Sequence, residues 1–350
     1  MRLGITFDDV LLVPQYSEIK SRKDVYTSTQ LSGNTSLDIP IISANMDTIT
    51  EFEMALSMGL QGGMGIIHRF MPIEQQSKIV KDLYDLGHTT IAAAVGIHEE
   101  DKQRTQKLIE SGASVICIDV AHGDSKGCVD MVNWIRWMLK NYSKIDIIAG
   151  NVCTPEGALR LVNAGASIIK VGVGAGSICI TRVVSGFGVP QLSAIMDVAE
   201  VLKPYNVPIV ADGGIRGSND IVKALAAGAH AVMLGNLLSG TEETPGEIVK
   251  INNKLYKSYR GMASKSANET RRNLDTENYA FDSTPEGVES LVEYKGSCRK
   301  IIEKLIGGLR SGMSYAGAYT IKDLQENAEF IQITNSGIRE SNYHDVEVIN

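Results

Sequence analysis

The sequence predicts an α/β fold, a (β/α)8 TIM barrel, and three observations predict it. Eight short apolar runs of β-type residues recur along the chain, at 39–44, 63–68, 90–95, 114–120, 145–152, 167–171, 207–211 and 231–234. Segments of helical periodicity lie between or after them, at 51–58, 73–86, 102–111, 128–141, 155–164, 190–202 and 219–227. Strands that read as continuous apolar runs and alternate with helices indicate a parallel sheet covered by helices. Third, polar groups and glycines gather where each run ends, which is where such barrels carry their chemistry. A doubly wound sheet seldom needs eight units, and no GxGxxG follows the first run.

Ahead of the first run, residues 1–38 are turn-rich and are expected to form a short hairpin or arm over one end of the barrel. The run ends then follow in order. They carry Asn45, Met46 and Asp47; His68 and Arg69; Asp119, Ala121, His122 and Gly123; Gly150 and Asn151. Cys117 alternates into a strand as a core residue, and His88, His98 and His230 are expected at the surface. The sixth run leads into residues 172–191, GVGAGSICITRVVSGFGVPQ. Gly172, Gly174 and Gly176 let this backbone approach a ligand closely. Ser177, Cys179, Thr181 and Arg182 sit within it, so a thiol nucleophile beside an anion site is expected. Lys170, one run earlier, is expected to be structural or ion-paired, because the loop already supplies a nucleophile.

The seventh and eighth runs end in Asp212-Gly213-Gly214 and Gly235-Asn236. Loops at those two positions form the usual phosphate site of such barrels. Asp212 is anionic and suits a ribose diol better than a phosphate. Residues 240–305 change character, and the polar stretch 263–290 is expected to be a mobile active-site flap inserted after strand 8. An amphipathic helix is expected over 300–310, followed by an irregular end.

Composition limits the partners. The net charge is −7 and the mean hydropathy is −0.02, so no general nucleic-acid surface is expected. The five cysteines form no CxxC pair. Reduced thiols and an acidic N-terminal stretch without an apolar run point to a cytoplasmic protein with no membrane partner.

The sequence resembles the inosine monophosphate dehydrogenase and guanosine monophosphate reductase family over nearly its whole length. The resemblance is carried by TFDDVLLVP (6–14), SANMDT (43–48), DVAHG (119–123), GNV (150–152), the 172–181 loop, ADGGI (211–215), YRGM (259–262) and YKG (294–296). It implies that Cys179 attacks C2 of the purine and forms a covalent thioimidate, with hydride passing between C2 and a nicotinamide. It further implies that Ser177, Gly213, Gly214, Gly235, Asn236 and Tyr259 hold the 5′-phosphate and Asp212 the ribose. Met46, Gly261 and Met262 line the base pocket. Asp119, Ala121, Asn151 and Gly172 meet the NADPH or NAD cofactor, and Gly174, Gly176 and Cys179 offer carbonyls to a potassium ion. A homotetramer is implied. The family's regulatory CBS pair, normally inserted after strand 2, is absent, so 1–350 reads as one catalytic domain.

The two family activities differ in how the thioimidate opens. The dehydrogenase hydrolyses it with an Arg-Tyr pair on the flap; the reductase forms it from GMP with loss of ammonia and uses a Thr and a Glu. Here the flap tyrosine is Tyr279, but Asn278 precedes it, while Thr181 and Glu286 are both present. The flap is also compact, with 24 positions from Met262 to Glu286. The favoured reading is GMP reductase. IMP dehydrogenase is the alternative, supported by GGMGIIHR (62–69) and PEGVE (285–289), with Arg271 or Arg272 as the water-activating base. A non-catalytic purine-nucleotide sensor and a flavin-dependent barrel oxidoreductase are rivals from other classes.

Overall fold

The computed structural model describes residues 1–141, 144–274, 284–343 and 346. The chain opens with β1 (Val10–Leu12) and a hairpin of β2 (Thr29–Gln30) and β3 (Ser36–Leu37). Eight parallel strands then close a barrel: β4 (Ile41–Ser43), β5 (Met64–Ile67), β6 (Ala92–Val95), β7 (Val115–Asp119), β8 (Asp146–Val152), β9 (Ile168–Val171), β10 (Ile209–Asp212) and β11 (Ala231–Leu234). The expected (β/α)8 barrel is the fold observed.

Helices α1 (Phe52–Leu60), α2 (Ile73–Asp85), α3 (Glu99–Glu110), α4 (Lys126–Met138) and α5 (Pro155–Ala164) follow the first five barrel strands. The loop after β9 carries the short α6 (Thr181–Ser185) before α7 (Gln191–Leu202), and α8 (Ser218–Ala226) follows β10. Local sequence signals set several boundaries. The Thr154 side chain accepts from Gly157 N–H, Pro155 occupies the first turn, and Gly165 ends α5 in the left-handed region at φ 108°. The predicted limits of α5 therefore coincide with the observed ones.

Both faces of the barrel are buried, which explains the continuous apolar runs. Inward positions such as Ile42, Ile66, Ala94, Cys117, Ile148 and Val210 form the barrel's own interior. The alternate positions pack under the helices. The N-terminal hairpin closes the lower end, where Leu31 and Leu37 join the interior cluster. Thr35 donates to Asp146 Oδ2 at 2.6 Å, and the Ser32 hydroxyl bonds the same carboxylate.

The described part of the stretch 263–290, read from the sequence as a flap, carries regular structure, and two other expectations are corrected. Antiparallel strands β12 (Val249–Ile251) and β13 (Lys254–Arg260) lead to α9 (Lys265–Leu274), and β14 (Glu289–Glu293) pairs back on β13. Its polar composition concealed this, because β14 is held by its backbone ladder and buries little side-chain surface. The end of the chain is also regular. After α10 (Cys298–Tyr315) come α11 (Ile321–Asn327), β15 (Phe330–Gln332) and α12 (Asn335–Glu340), and β15 pairs antiparallel with β1. Finally, His88, His98 and His230 are half-buried rather than exposed. The His230 ring accepts from Ile209 N–H, and burial lowers its pKa.

Candidate active site

A cavity of about 410 Å³ opens at the C-terminal ends of the barrel strands. That size suits a small-molecule ligand. Cys179, Thr181 and Glu286 lie on its wall. The Cys179 thiol donates to Thr181 Oγ1 at 3.1 Å, and Thr181 Oγ1 donates to Glu286 Oε2 at 2.7 Å. These groups come together because the loop that carries Cys179 pairs with the segment that carries Glu286. Ile180 N–H donates to Glu286 O, Val288 N–H donates to Ile178 O, and Cys179 bridges Gly287. Glu286 N–H in turn donates to Ala263 O, which ties the flap's two ends together.

Such a chain can move a proton between sulfur, hydroxyl and carboxylate. The other thiols are poor candidates. Burial pushes Cys117 and Cys128 up to about 12, Cys298 up to about 11, and Cys153 upward.

The end of the cavity formed by β10 and β11 is rich in backbone amides. Gly213 and Gly214 have φ of 98° and 81°, which favours glycine. Both line the cavity with Gly235 and Asn236. Ser177 Oγ lies 3.4 Å from Tyr259 Oη across it. Tyr259 is 3% exposed, and burial raises its hydroxyl pKa, so it stays a neutral donor. Met46, Gly261 and Met262 form a further wall.

Strand register brings the remaining charges together. Asp119, Gly150, Lys170 and Val210 occupy one row across β7 to β10, all on the inner face. Asp212, two residues beyond Val210, also faces inward. Lys170 Nζ donates to Asp212 Oδ2 at 2.6 Å, as ion pairing would have it. Burial alone lowers a lysine pKa; here the carboxylates of Asp212 and Asp119 outweigh it and hold Lys170 above its usual range. Asp119 and Ala121 also line the cavity, and Arg69 reaches Asp119 at 3.4 Å.

Two positions predicted for ligand contact lie off the cavity wall. Gly172, with φ 150°, is where the end of β9 meets β10; a Cβ there would lie 2.0 Å from Asp212 O. Gly174 packs against the Arg182 side chain, while Gly176 does reach the cavity. Tyr279, with Asn278, lies outside the described residues.

The IMP dehydrogenase / GMP reductase domain matches residues 4–344 of this sequence. The chain belongs to that family. It is an oxidoreductase of purine metabolism. An IMP dehydrogenase of Cryptosporidium parvum is 41% identical, over 99% of this chain and 96% of the relative. A GMP reductase of Leishmania donovani is 36% identical, over 98% and 97%. The crystal structure of GMP reductase C318A from Trypanosoma brucei in complex with guanosine 5′-monophosphate superposes with a TM-score of 0.91 at 33% identity, covering 99% of both chains.

Within this family member, several strand-end residues named from sequence serve the scaffold. His68 is 2% exposed, its Nδ1 accepts from Phe70 N–H, and its Nε2 faces Glu51 at 3.1 Å. Asp47 pairs with Arg260 at the root of the flap. Conversely, Arg69 and Lys170 line the cavity although sequence reasoning gave them no ligand role, and Asn268 reaches it from α9. The signal for Lys170 was available: strict alternation along β9 points it inward with Ile168.

Proposed function

We propose that this family member is a GMP reductase, converting GMP and NADPH to IMP, ammonia and NADP+. The observation that carries the reading is the hydrogen-bonded chain from Cys179 through Thr181 to Glu286. In this scheme Cys179 gives its proton through Thr181 toward Glu286, and the thiolate adds to C2 of GMP. The same chain returns a proton to the departing amino group, leaving a thioimidate on Cys179. NADPH, when bound, supplies the hydride that reduces C2. Expulsion of the thiolate then gives IMP.

The remaining assignments follow the cavity's polarity. The amides of Gly213, Gly214 and Gly235, with Asn236, Ser177 and Tyr259, would hold the 5′-phosphate. Asp212 would bind the ribose, and Met46, Gly261 and Met262 the base. Asp119, Ala121 and Arg69 line the wall left for the nicotinamide riboside. Asn151 belongs to that side, although its amide hydrogens are already engaged with Gly172 O and Asp212 Oδ2. The Gly174, Gly176 and Cys179 carbonyls are hard oxygen donors on one loop and would hold potassium. Residues 68–72 are all that separate β5 from α2, which leaves no room for an inserted regulatory module there. A cytoplasmic homotetramer completes the reading, and the five free cysteines accord with a reducing compartment.

A second reading, IMP dehydrogenase, is favoured by names of relatives at up to 41% identity. Against it stands Asn278 at the position of the water-activating arginine. Paired absorbance assays separate the two. NADPH oxidation with GMP, releasing IMP and ammonia, is expected. NADH and xanthosine monophosphate from IMP, NAD+ and potassium would instead establish the dehydrogenase.

A further inference from the structure

Lys170 is a charged group that none of the steps above uses. It is 2% exposed, and lysines are rarely buried so deeply unless paired. Its Nζ donates to Asn151 Oδ1 at 2.5 Å and to Asp212 Oδ2 at 2.6 Å. The Asn151 amide donates to that same Oδ2 at 2.9 Å and to Gly172 O at 2.7 Å. The triangle is chemically closed. An ammonium only donates and a carboxylate only accepts, so the Asn151 oxygen must face the lysine and its nitrogen must face Asp212. The Asp212 backbone is held as well, because Gln191 Nε2 donates to its carbonyl at 3.1 Å.

One oxygen of Asp212 is therefore occupied from within the barrel. Its side chain is nonetheless 23% exposed and lines the cavity, whereas that of Lys170 is 3% exposed. The hydrogen bonds from Lys170 and Asn151 both fall on Oδ2, which leaves Oδ1 as the oxygen for a ligand. The persistent charge of Lys170 also removes it as a Schiff-base nucleophile, which needs the neutral amine.

We propose that Lys170 is the positioning residue of the ribose site: with Asn151 it holds Asp212 Oδ2 and aims Oδ1 at the ribose hydroxyls, making a buried lysine a determinant of ribose recognition. This rests on the reading of the cavity as a purine ribonucleotide site.

The test is calorimetric binding of GMP and of 2′,3′-dideoxy-GMP to the intact protein. The ratio of the two dissociation constants is the readout, because general loss of folded protein affects both nucleotides alike. Wild type is expected to favour GMP by about tenfold to a hundredfold, the value of a hydrogen bond to a charged group. Asp212→Asn removes most of that preference. Lys170→Met is expected to bring the ratio to within about threefold of Asp212→Asn, by weakening GMP and sparing the dideoxy analogue. Should Lys170→Met not fold, Lys170→Arg carries the same test. It keeps the charge but displaces the donors, and the ratio is expected to fall.

A wild-type ratio in either folded lysine variant, while Asp212→Asn lowers it, overturns the role of Lys170 alone. A ratio unchanged by Asp212→Asn, or a wild type that binds neither nucleotide, overturns the ribose assignment beneath it.

Discussion

Replacing Glu286 by Gln tests the proposed proton path with little disturbance of shape. Glu286 Oε2 accepts from Thr181 Oγ1 at 2.7 Å, and Thr181 Oγ1 accepts from the Cys179 thiol at 3.1 Å. A glutamine carbonyl can still accept from Thr181, but it cannot take up a proton at neutral pH. The backbone pairing that brings the flap to Cys179 uses Ile180 N–H to Glu286 O and Val288 N–H to Ile178 O. Neither bond involves the side chain, so the loop and flap should remain in register. General acid–base groups contribute about 10²–10⁴-fold in rate. The activation barrier is thus expected to rise by about 3–5 kcal/mol. Steady-state NADPH oxidation with GMP measures this, and the loss should appear in kcat with KM for GMP within about threefold. Thr181→Val breaks the same path one atom earlier. Because the two groups act in series, the double variant should be little slower than either single one. A Glu286→Gln enzyme with wild-type kcat, or fully additive losses in the double variant, would refute the proton path.

Cys179→Ala should abolish turnover while keeping GMP affinity within about tenfold, since the thiol contributes to chemistry more than to binding; calorimetry beside the absorbance assay checks both. Leu31 is fully buried in the barrel's lower plug. Leu31→Ala should cost about 2–5 kcal/mol in a denaturant titration, and a cost under 1 kcal/mol would mean that the hairpin is not part of the cooperative core. The hydrogen bond from Arg216, together with its charge, holds the Asp8 carboxyl below the usual carboxylate range. A depressed folded pKa means that the Asp8–Arg216 pair stabilises the arm above about pH 4 and loses this as pH falls through the folded value. Asp8→Asn should therefore lower the melting temperature at pH 7, by an amount that shrinks as pH is lowered below about 4; an effect that stays constant over that range would argue against the ion pair.

The barrel was legible from the sequence because its strands are buried on both faces. Ile41–Ser43, Met64–Ile67 and Ala92–Val95 are buried at every position and apolar at all but Ser43, and this pattern survives without knowledge of the partners. The punctuation of α5 by Thr154, Pro155 and Gly165 was equally local. So were the glycines and polar groups at the strand ends, which belong to one face once the barrel closes. What remained hidden depends on distant pairing. The flap strand Glu289–Glu293 and the terminal Phe330–Gln332 exist because β13 and β1 offer them unpaired backbone edges, and neither edge can be read from the strand's own residues. The same holds within the site. Thr181 and Glu286 stand 105 positions apart, and only the pairing of loop and flap makes them a hydrogen-bonded pair. Lys170, Asn151 and Asp212 come from three strands, and it is the barrel register that turns three separate polar residues into one closed network. Local sequence determines which residues carry chemistry, because composition and turn signals act over a few residues. Tertiary structure decides which of them meet, because hydrogen bonds and ion pairs form only over distances of about 3 Å.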